Sequence, residues 1–252
     1  ADTYLSKTTV SAIVEQLIRE EYIVDTGVSQ KTVQGRRPNA LAVDAEKNAV
    51  LVCNLRARVI QFALVSSAYH VESLHEIPFE RNSATALFVV NETKKIIQTV
   101  PPERRINGIC VIIPGIIDGK REEIVSVVLP LRDPNELINA FRQELSDEYS
   151  VAFFNDTCCF SYAEDAFSGD SHDFIYININ EGVGASFIQD GNLVNGATGM
   201  GTQFGHFSIR KEGVDCICGN KGCLENYIGE SVLRTRVEEF GILSEFENPD
   251  RI

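Results

Sequence analysis

The eight residues CICGNKGC, from Cys216 to Cys223, constrain this chain more than any other stretch. Their C-x-C-x4-C spacing sets three thiols around a turn, where Gly219 and Gly222 let the backbone bend tightly enough to aim the sulfurs at one point. A tetrahedral ion needs a fourth ligand. His206, ten residues upstream of Cys216 at the end of GTQFGH, supplies an imidazole and completes a Cys3His set. His206, Cys216, Cys218 and Cys223 are therefore expected to hold one zinc ion, in the closed composition typical of structural rather than catalytic sites. A redox pair of Cys216 and Cys218 is the alternative, but C-x-C suits a disulfide less well than C-x-x-C.

The remaining cysteines, Cys53, Cys110, Cys158 and Cys159, bring the count to an odd seven and sit in apolar surroundings, so a secreted disulfide framework is not expected. They read as buried thiols acting as small hydrophobes. At 252 residues the chain can bury a substantial core without disulfides. No apolar run approaches the roughly 20 residues that span a bilayer, and the opening ADTYLSKTTV lacks the charged-then-apolar order of a secretion signal. A soluble, cytoplasmic protein without a membrane partner is expected. A formal net charge of -13 and a pI near 4.8 exclude a broadly basic surface, so any contact with nucleic acid must be local. In the first forty residues Lys7, Arg19, Lys31, Arg36 and Arg37 balance Asp2, Glu15, Glu20, Glu21 and Asp25, which leaves all the acidity downstream.

From Ser6 to Arg19 the apolar residues Val10, Ile13, Val14, Leu17 and Ile18 recur at helical spacing behind a capping serine. A short strand at Tyr22 to Val24, a polar loop GVSQKTVQGRRPN and a second strand at Ala40 to Val43 follow. Helix, strand, basic loop and strand match the latter part of a winged helix-turn-helix. Ser6, Lys7, Thr8, Thr9 and Ser11 suit phosphates and base edges at a helix N-terminus, and Arg36 and Arg37 suit phosphates or a minor groove. A plain surface helix packed on the next domain is the alternative. Further on, strands at Ala49 to Leu55, Val59 to Leu64 and INGICVIIPG alternate with a helix around Ala84 to Gln98. The rhythm repeats: a strand near Ile124 to Leu129, a helix from Asn135 to Leu145, a strand at Val151 to Asn155, a helix from Thr157 to Phe167, then paired strands DFIYINI and GASFIQ. Two related α/β lobes are expected, with residues 1–39 as a partial DNA-binding domain, 40–130 as the first lobe and 131–252 as the second. A small ligand belongs in the cleft between such lobes.

GATGMGTQFGH followed by CICGNKGCLE resembles the signature of the ROK family, named for its repressors, open reading frames and sugar kinases. The resemblance extends through PGIID at Pro114 to Asp118, the Asn155-Asp156 pair, EGVGASFIQDG at Glu181 to Gly191, and the GRRP of the basic loop. It implies an actin-like, ribonuclease-H-like two-lobed sugar kinase fold, with zinc bracing a sugar-binding loop. Sugar contacts then fall to Asn155, Asp156, Gln203, His206 and Glu225. The chemistry agrees, since carboxylates and amides grip vicinal hydroxyls, and His206 has one ring nitrogen for the metal and one for the ligand. Each also has a structural reading: Asn155 and Asp156 as helix caps, Glu225 as an acidic first-turn residue, Pro114-Gly115 as a strand-ending turn.

Two departures separate regulator from kinase. Kinases of the family open their first lobe with an Asp-x-Gly-Gly-Thr turn that holds ATP phosphates, and the corresponding place reads Asp44-Ala45-Glu46-Lys47-Asn48. The second phosphate loop, Gly-Thr-Gly in kinases, reads Asn180-Glu181-Gly182. Side chains and negative charge stand where backbone must approach phosphate. Asp156, the base that a kinase uses on the sugar hydroxyl, is kept without a phosphoryl donor. The resemblance therefore implies the regulator branch, similar to xylose- and N-acetylglucosamine-type repressors: a homodimer or homotetramer binding operator DNA and a sugar or sugar-phosphate effector. An ATP-dependent hexose or N-acetylhexosamine kinase is the runner-up. Thr202 and Gln203, in place of the usual Gly-Glu, leave room for a regulator controlled by a protein partner. The chain opens at the recognition helix and stops at Ile252, before the family's last elements, so a fragment is expected.

Overall fold

The computed structural model describes residues 5–28, 39–56, 58–79, 85–118, 123–127, 133–168, 173–180, 182–194, 196, 201 and 203–241. Helix α1 (Lys7–Arg19) begins where the Ser6 hydroxyl accepts the Thr9 amide at 3.1 Å, an N-cap that satisfies one orphan donor of the first turn. It ends as Glu21 turns to φ 59. Strand β1 (Ile23–Val28) then pairs antiparallel with β2 (Asn39–Val43), with a bulge at Gly27, whose φ of 91 suits glycine. No residue of α1 is fully buried, and Val10, Ile13 and Ile18 are exposed.

A five-stranded sheet follows, from β3 (Asn48–Leu55), β4 (Val59–Ser66), β5 (Val71–Pro78), β6 (Arg105–Ile113) and β9 (Ser150–Asn155), in the order β5-β4-β3-β6-β9. The period-2 patterns of β3, β4 and β6 put Leu51, Cys53, Leu55, Ile60, Phe62, Leu64, Ile109, Val111 and Ile113 inside. Helix α2 (Ala86–Thr99), capped by Thr85, buries Ala86, Val89, Val90 and Thr93, and Thr93 lies against Cys53. Strand β5 has no counterpart in the sequence reading: its apolar residues Val71, Leu74 and Ile77 recur every third position, and it lies at the sheet edge with most of its residues exposed.

Strands β7 (Gly115–Asp118) and β8 (Glu123–Val127) form a hairpin, and α3 (Asn135–Leu145) buries Leu137, Ile138, Phe141 and Leu145. Helix α4 (Asp156–Ser168) packs on β10 (Phe174–Ile179) and β11 (Val183–Gln189), with the Phe160 and Tyr176 rings 6.2 Å apart. Strand β12 (Asn192–Leu193) returns along β11 after the Asp190-Gly191 turn. A 3-10 turn (Phe204–His206), α5 (Glu225–Ile228) and α6 (Glu230–Glu239) complete the elements.

The chain divides into two compact units, Ala1–Val111 with Asn139–Ala152, and Ile112–Ile138 with Phe153–Ile252. This differs from the linear division expected at 39/40 and 130/131. The chain crosses between units inside β6, α3 and β9, where the sequence shows uninterrupted elements. Among the described residues, no helix is long and apolar enough to cross a membrane.

Candidate metal centre and the polar residues beside it

The metal loop is a pair of short backbone ladders closed on themselves. Ser208 bridges Cys223 and Asp215 bridges Lys221, while the Cys216 amide donates to Asn220 O at 2.8 Å and the Gly219 amide to Cys216 O at 3.0 Å. Gly219 (φ 88) and Gly222 (φ 67) occupy the left-handed region that the sequence assigned to them. At Gly222 a Cβ would also lie only 2.6 Å from the Arg210 carbonyl carbon, so the two arms of the loop touch there. The 3-10 turn delivers His206 to the same point.

One ligand atom from each of His206, Cys216, Cys218 and Cys223 lies within 4.8 Å of the others. The Cys218 and Cys223 sulfurs are 3.6 Å apart, and Cys216 Sγ is 3.6 Å from His206 Nδ1. A tetrahedral zinc with bonds of about 2.3 Å to sulfur and about 2.05 Å to nitrogen requires edges of about 3.8 Å and 3.6 Å. These two edges match such an ion to within about 0.2 Å, and the remaining pairs, all within 4.8 Å, need to close by at most about 1 Å. Desolvation pushes the Cys218 thiol up, but hydrogen bonds with the Asn220 backbone, Cys216 and Cys223 outweigh it and hold the thiol below its ordinary value. Desolvation and the neighbouring sulfurs push Cys223 up to about 12. Clustered sulfurs cannot all ionise unaided; a divalent cation at their centre removes that conflict. No disulfide joins any of the seven cysteines. Of the other four, Cys53 is buried as expected, whereas Cys110, Cys158 and Cys159 are only half-buried. Burial pushes Cys53 up to about 12 and Cys158 up to about 11.

Segments carrying Asp156, His206 and Glu225 meet the first residues of β11. Glu225 Oε2 accepts the Val183 amide at 2.9 Å, and a Cβ on Gly182 would lie 2.9 Å from the same oxygen. Gly205, next to His206, packs on the Val183 backbone, and Gly184 packs on Thr157, next to Asp156. Three segments carrying Asp156, His206 and Glu225 thus abut two consecutive residues of one strand. Asn155 serves as a cap: its Oδ1 accepts the Cys158 amide at 3.0 Å and its Nδ2 donates to Gly115 O at 2.6 Å. Asp156 Oδ1 accepts the Thr157 amide at 2.7 Å and Asn155 Nδ2 at 3.1 Å. Gln203 enters the 3-10 turn, its carbonyl accepting the His206 amide at 3.2 Å. Thr202 and Glu181 lie outside the described residues.

A groove of about 380 Å³ lies along the metal loop, lined by Ser208, Ile209, Lys211, Gly219, Asn220 and Lys221. No sequence motif marks it, because it is made by two arms of the loop facing each other. At the other end of the chain, Ser6 and Thr9 share a 2.8 Å hydrogen bond, and Lys7, Thr8 and Ser11 are exposed on the first turns of α1. Arg36 and Arg37 lie outside the described residues. The Asp44 to Asn48 turn lies outside the hairpins of the five-stranded sheet. It joins β2 to β3, and Asp44 Oδ1 accepts the Glu46 and Lys47 amides at 3.1 Å each. The first hairpin turn of the sheet lies instead between Leu55 and Val59.

A mixed α/β protein with a Cys3His loop beside a polar strand end is thereby defined. The ROK family profile matches residues 57–250, and the chain belongs to the ROK family. It is 29% identical to the xylose repressor of Caldicellulosiruptor bescii over 93% of this chain and 60% of that protein. It is 25% identical to the DNA-binding transcriptional dual regulator NagC of Escherichia coli over 92% of this chain and 58% of that one. The chain thus spans about 60% of the length of these relatives. Among solved structures, a ROK family transcriptional regulator homologous to the E. coli MLC protein matches with a TM-score of 0.74 at 23% identity, over 97% of this chain and 62% of that one. A ROK family glucokinase from Streptomyces griseus, in complex with glucose and AMPPNP, matches with a TM-score of 0.63 at 21% identity, over 77% and 62%. Both show the same mixed α/β fold.

Proposed function

We propose that this chain is the greater part of a sugar-responsive transcriptional repressor, with α1 and the β1–β2 ribbon as the end of a winged helix-turn-helix and the β11 site as the effector site. The observation that carries this reading is the combination at β11: three segments bearing Asp156, His206 and Glu225 are held together while the phosphate-holding Asp-x-Gly-Gly-Thr sequence occurs nowhere in the chain. Sugar-gripping groups without phosphate-gripping glycines suit binding rather than phosphoryl transfer. The repressor names of the relatives agree. Ser6, Lys7, Thr8, Thr9, Ser11, Arg36 and Arg37 are the proposed DNA contacts, with a homodimer reading a palindromic site.

Zinc is the ion that the Cys3His set suits, and it would hold the loop carrying His206 in place. Asn155, Asp156, Gln203, His206 and Glu225 are the proposed effector contacts. Asn155 and Glu225 carry structural bonds as well, so their loss would loosen the site and not only the grip. An amide at Gln203 both donates and accepts without adding negative charge, which favours a phosphorylated amino sugar or hexose.

The test is calorimetry with a panel of pentoses, hexoses, amino sugars and their phosphates, run beside a coupled ADP-release assay. Binding of one sugar class without turnover supports the repressor. Turnover with any hexose at about 1 per second or faster overturns it in favour of the kinase that Asp156 would serve. Absence of binding across the panel moves control to a protein partner.

A further inference from the structure

Resting on the reading of α1 as the DNA-facing helix, we propose that Arg105 is a positioning residue for that helix, clamping its C-terminal end to the five-stranded sheet. Helix α1 has no fully buried residue, so apolar packing alone does not fix its direction. Its exit does. The carbonyls of three consecutive residues, Glu20, Glu21 and Tyr22, are each taken by a group of the sheet or of the turn leading into it. Arg105 Nη1 donates to Glu20 O at 2.8 Å, Asn48 Nδ2 to Glu21 O at 2.8 Å, and the Asp44 amide to Tyr22 O at 3.0 Å. The Arg105 guanidinium also lies over the Tyr22 ring, 4.4 Å from its centroid.

The parts that hold the helix are themselves held. Asn48 is fully buried; its Nδ2 also donates to Asp44 O at 2.9 Å, and its Oδ1 accepts Asn107 Nδ2 at 3.1 Å. The Arg105 amide donates to Lys47 O at 2.7 Å, and Arg104 Nη1 to Ala45 O at 3.0 Å, so consecutive arginines at the start of β6 fasten both the turn and the helix end. A guanidinium suits this place for two reasons. It is a cation where the helix dipole and the unpaired carbonyls present negative charge, and its flat face stacks on tyrosine while its edge donates. Lysine keeps the charge and a donor but lacks the flat face that stacks and the fixed fork that donates beside it.

Hydrogen exchange on the whole zinc-loaded chain tests the clamp without needing DNA. In Arg105→Lys and in Tyr22→Leu, peptides covering Glu20 to Val28 should exchange roughly two- to fivefold faster, the factor expected from losing a stacked cation. Strands β3 and β4 should keep the parent's protection. Unchanged exchange at Glu20 to Val28 in Arg105→Lys overturns the proposal. So does an equal loss of protection in β3 and β4, since Arg105 would then merely support the sheet. In a second arm, duplexes that the parent enriches from a random-sequence pool should bind Arg105→Lys more weakly with the same base preference; a changed base preference would make Arg105 a DNA contact and overturn its positioning role. Should the parent enrich no sequence, the DNA-binding reading fails, and exchange alone still decides the clamp.

Discussion

Replacing Gly205 by alanine places a methyl group against the start of β11. Its Cβ would fall 2.9 Å from both the carbonyl carbon and the Cβ of Val183, with the Val183 carbonyl oxygen nearer still. Carbon meets a carbonyl oxygen comfortably at about 3.3 Å, and that oxygen would stand well inside this, so the 3-10 turn or the strand must retreat by about 1 Å. Neither yields easily. Val183 is buried and paired with Ile179, and its amide is held by Glu225 at 2.9 Å. Overpacking of this kind costs about 1–3 kcal/mol, and about 1 kcal/mol moves the melting temperature of a chain of this size by roughly 2–4 °C. The expected fall is thus about 2–12 °C. His206 is the next residue, and zinc tolerates ligand displacements of only about 0.2 Å, so metal affinity should drop by about 10- to 100-fold, as when a supporting shell is lost. Chelator competition followed by zinc measurement reads the affinity, and calorimetric melting reads the stability. Gly219→Ala is the control: it meets nothing within 4 Å but must adopt φ 88, so it pays backbone strain without pushing His206. If Gly205→Ala keeps zinc as tightly as the parent, the Val183 contact does not position the ligand and the account of the loop fails.

Cys218→Ser should lower zinc from one per chain to well under one, and an unchanged metal content and melting temperature would remove Cys218 from the ligand set. Since folding raises the Cys53 thiol from 9.0 to about 12, its contribution to stability is complete below about pH 9 and fades as pH rises from 9 toward 12; native Cys53 should resist iodoacetamide at pH 8, and rapid labelling there would contradict its burial. Ser6→Ala removes the bond to the Thr9 amide and should cost about 1 kcal/mol of local helix stability, read as faster exchange of the first turn of α1; equal exchange would show the cap idle.

The sequence by itself determined the cluster of His206 with three cysteines. Three thiols within eight residues, with glycines where the turn needs φ above zero, can hardly be arranged otherwise, because short-range spacing limits where the sulfurs can go. It also determined most strands and helices, whose periodicity is local. It did not show β5, whose edge position removed the alternation. That Gly182, Val183, Gly184 and Gly205 form one meeting point for three segments follows from contacts between residues up to 42 positions apart. That Arg105, an ordinary charge in PPERRING, caps a helix 85 positions away follows from the same cause. Only the folded backbone brings such groups together, because long-range contacts depend on the register and order of the strands and leave no periodic trace in the chain.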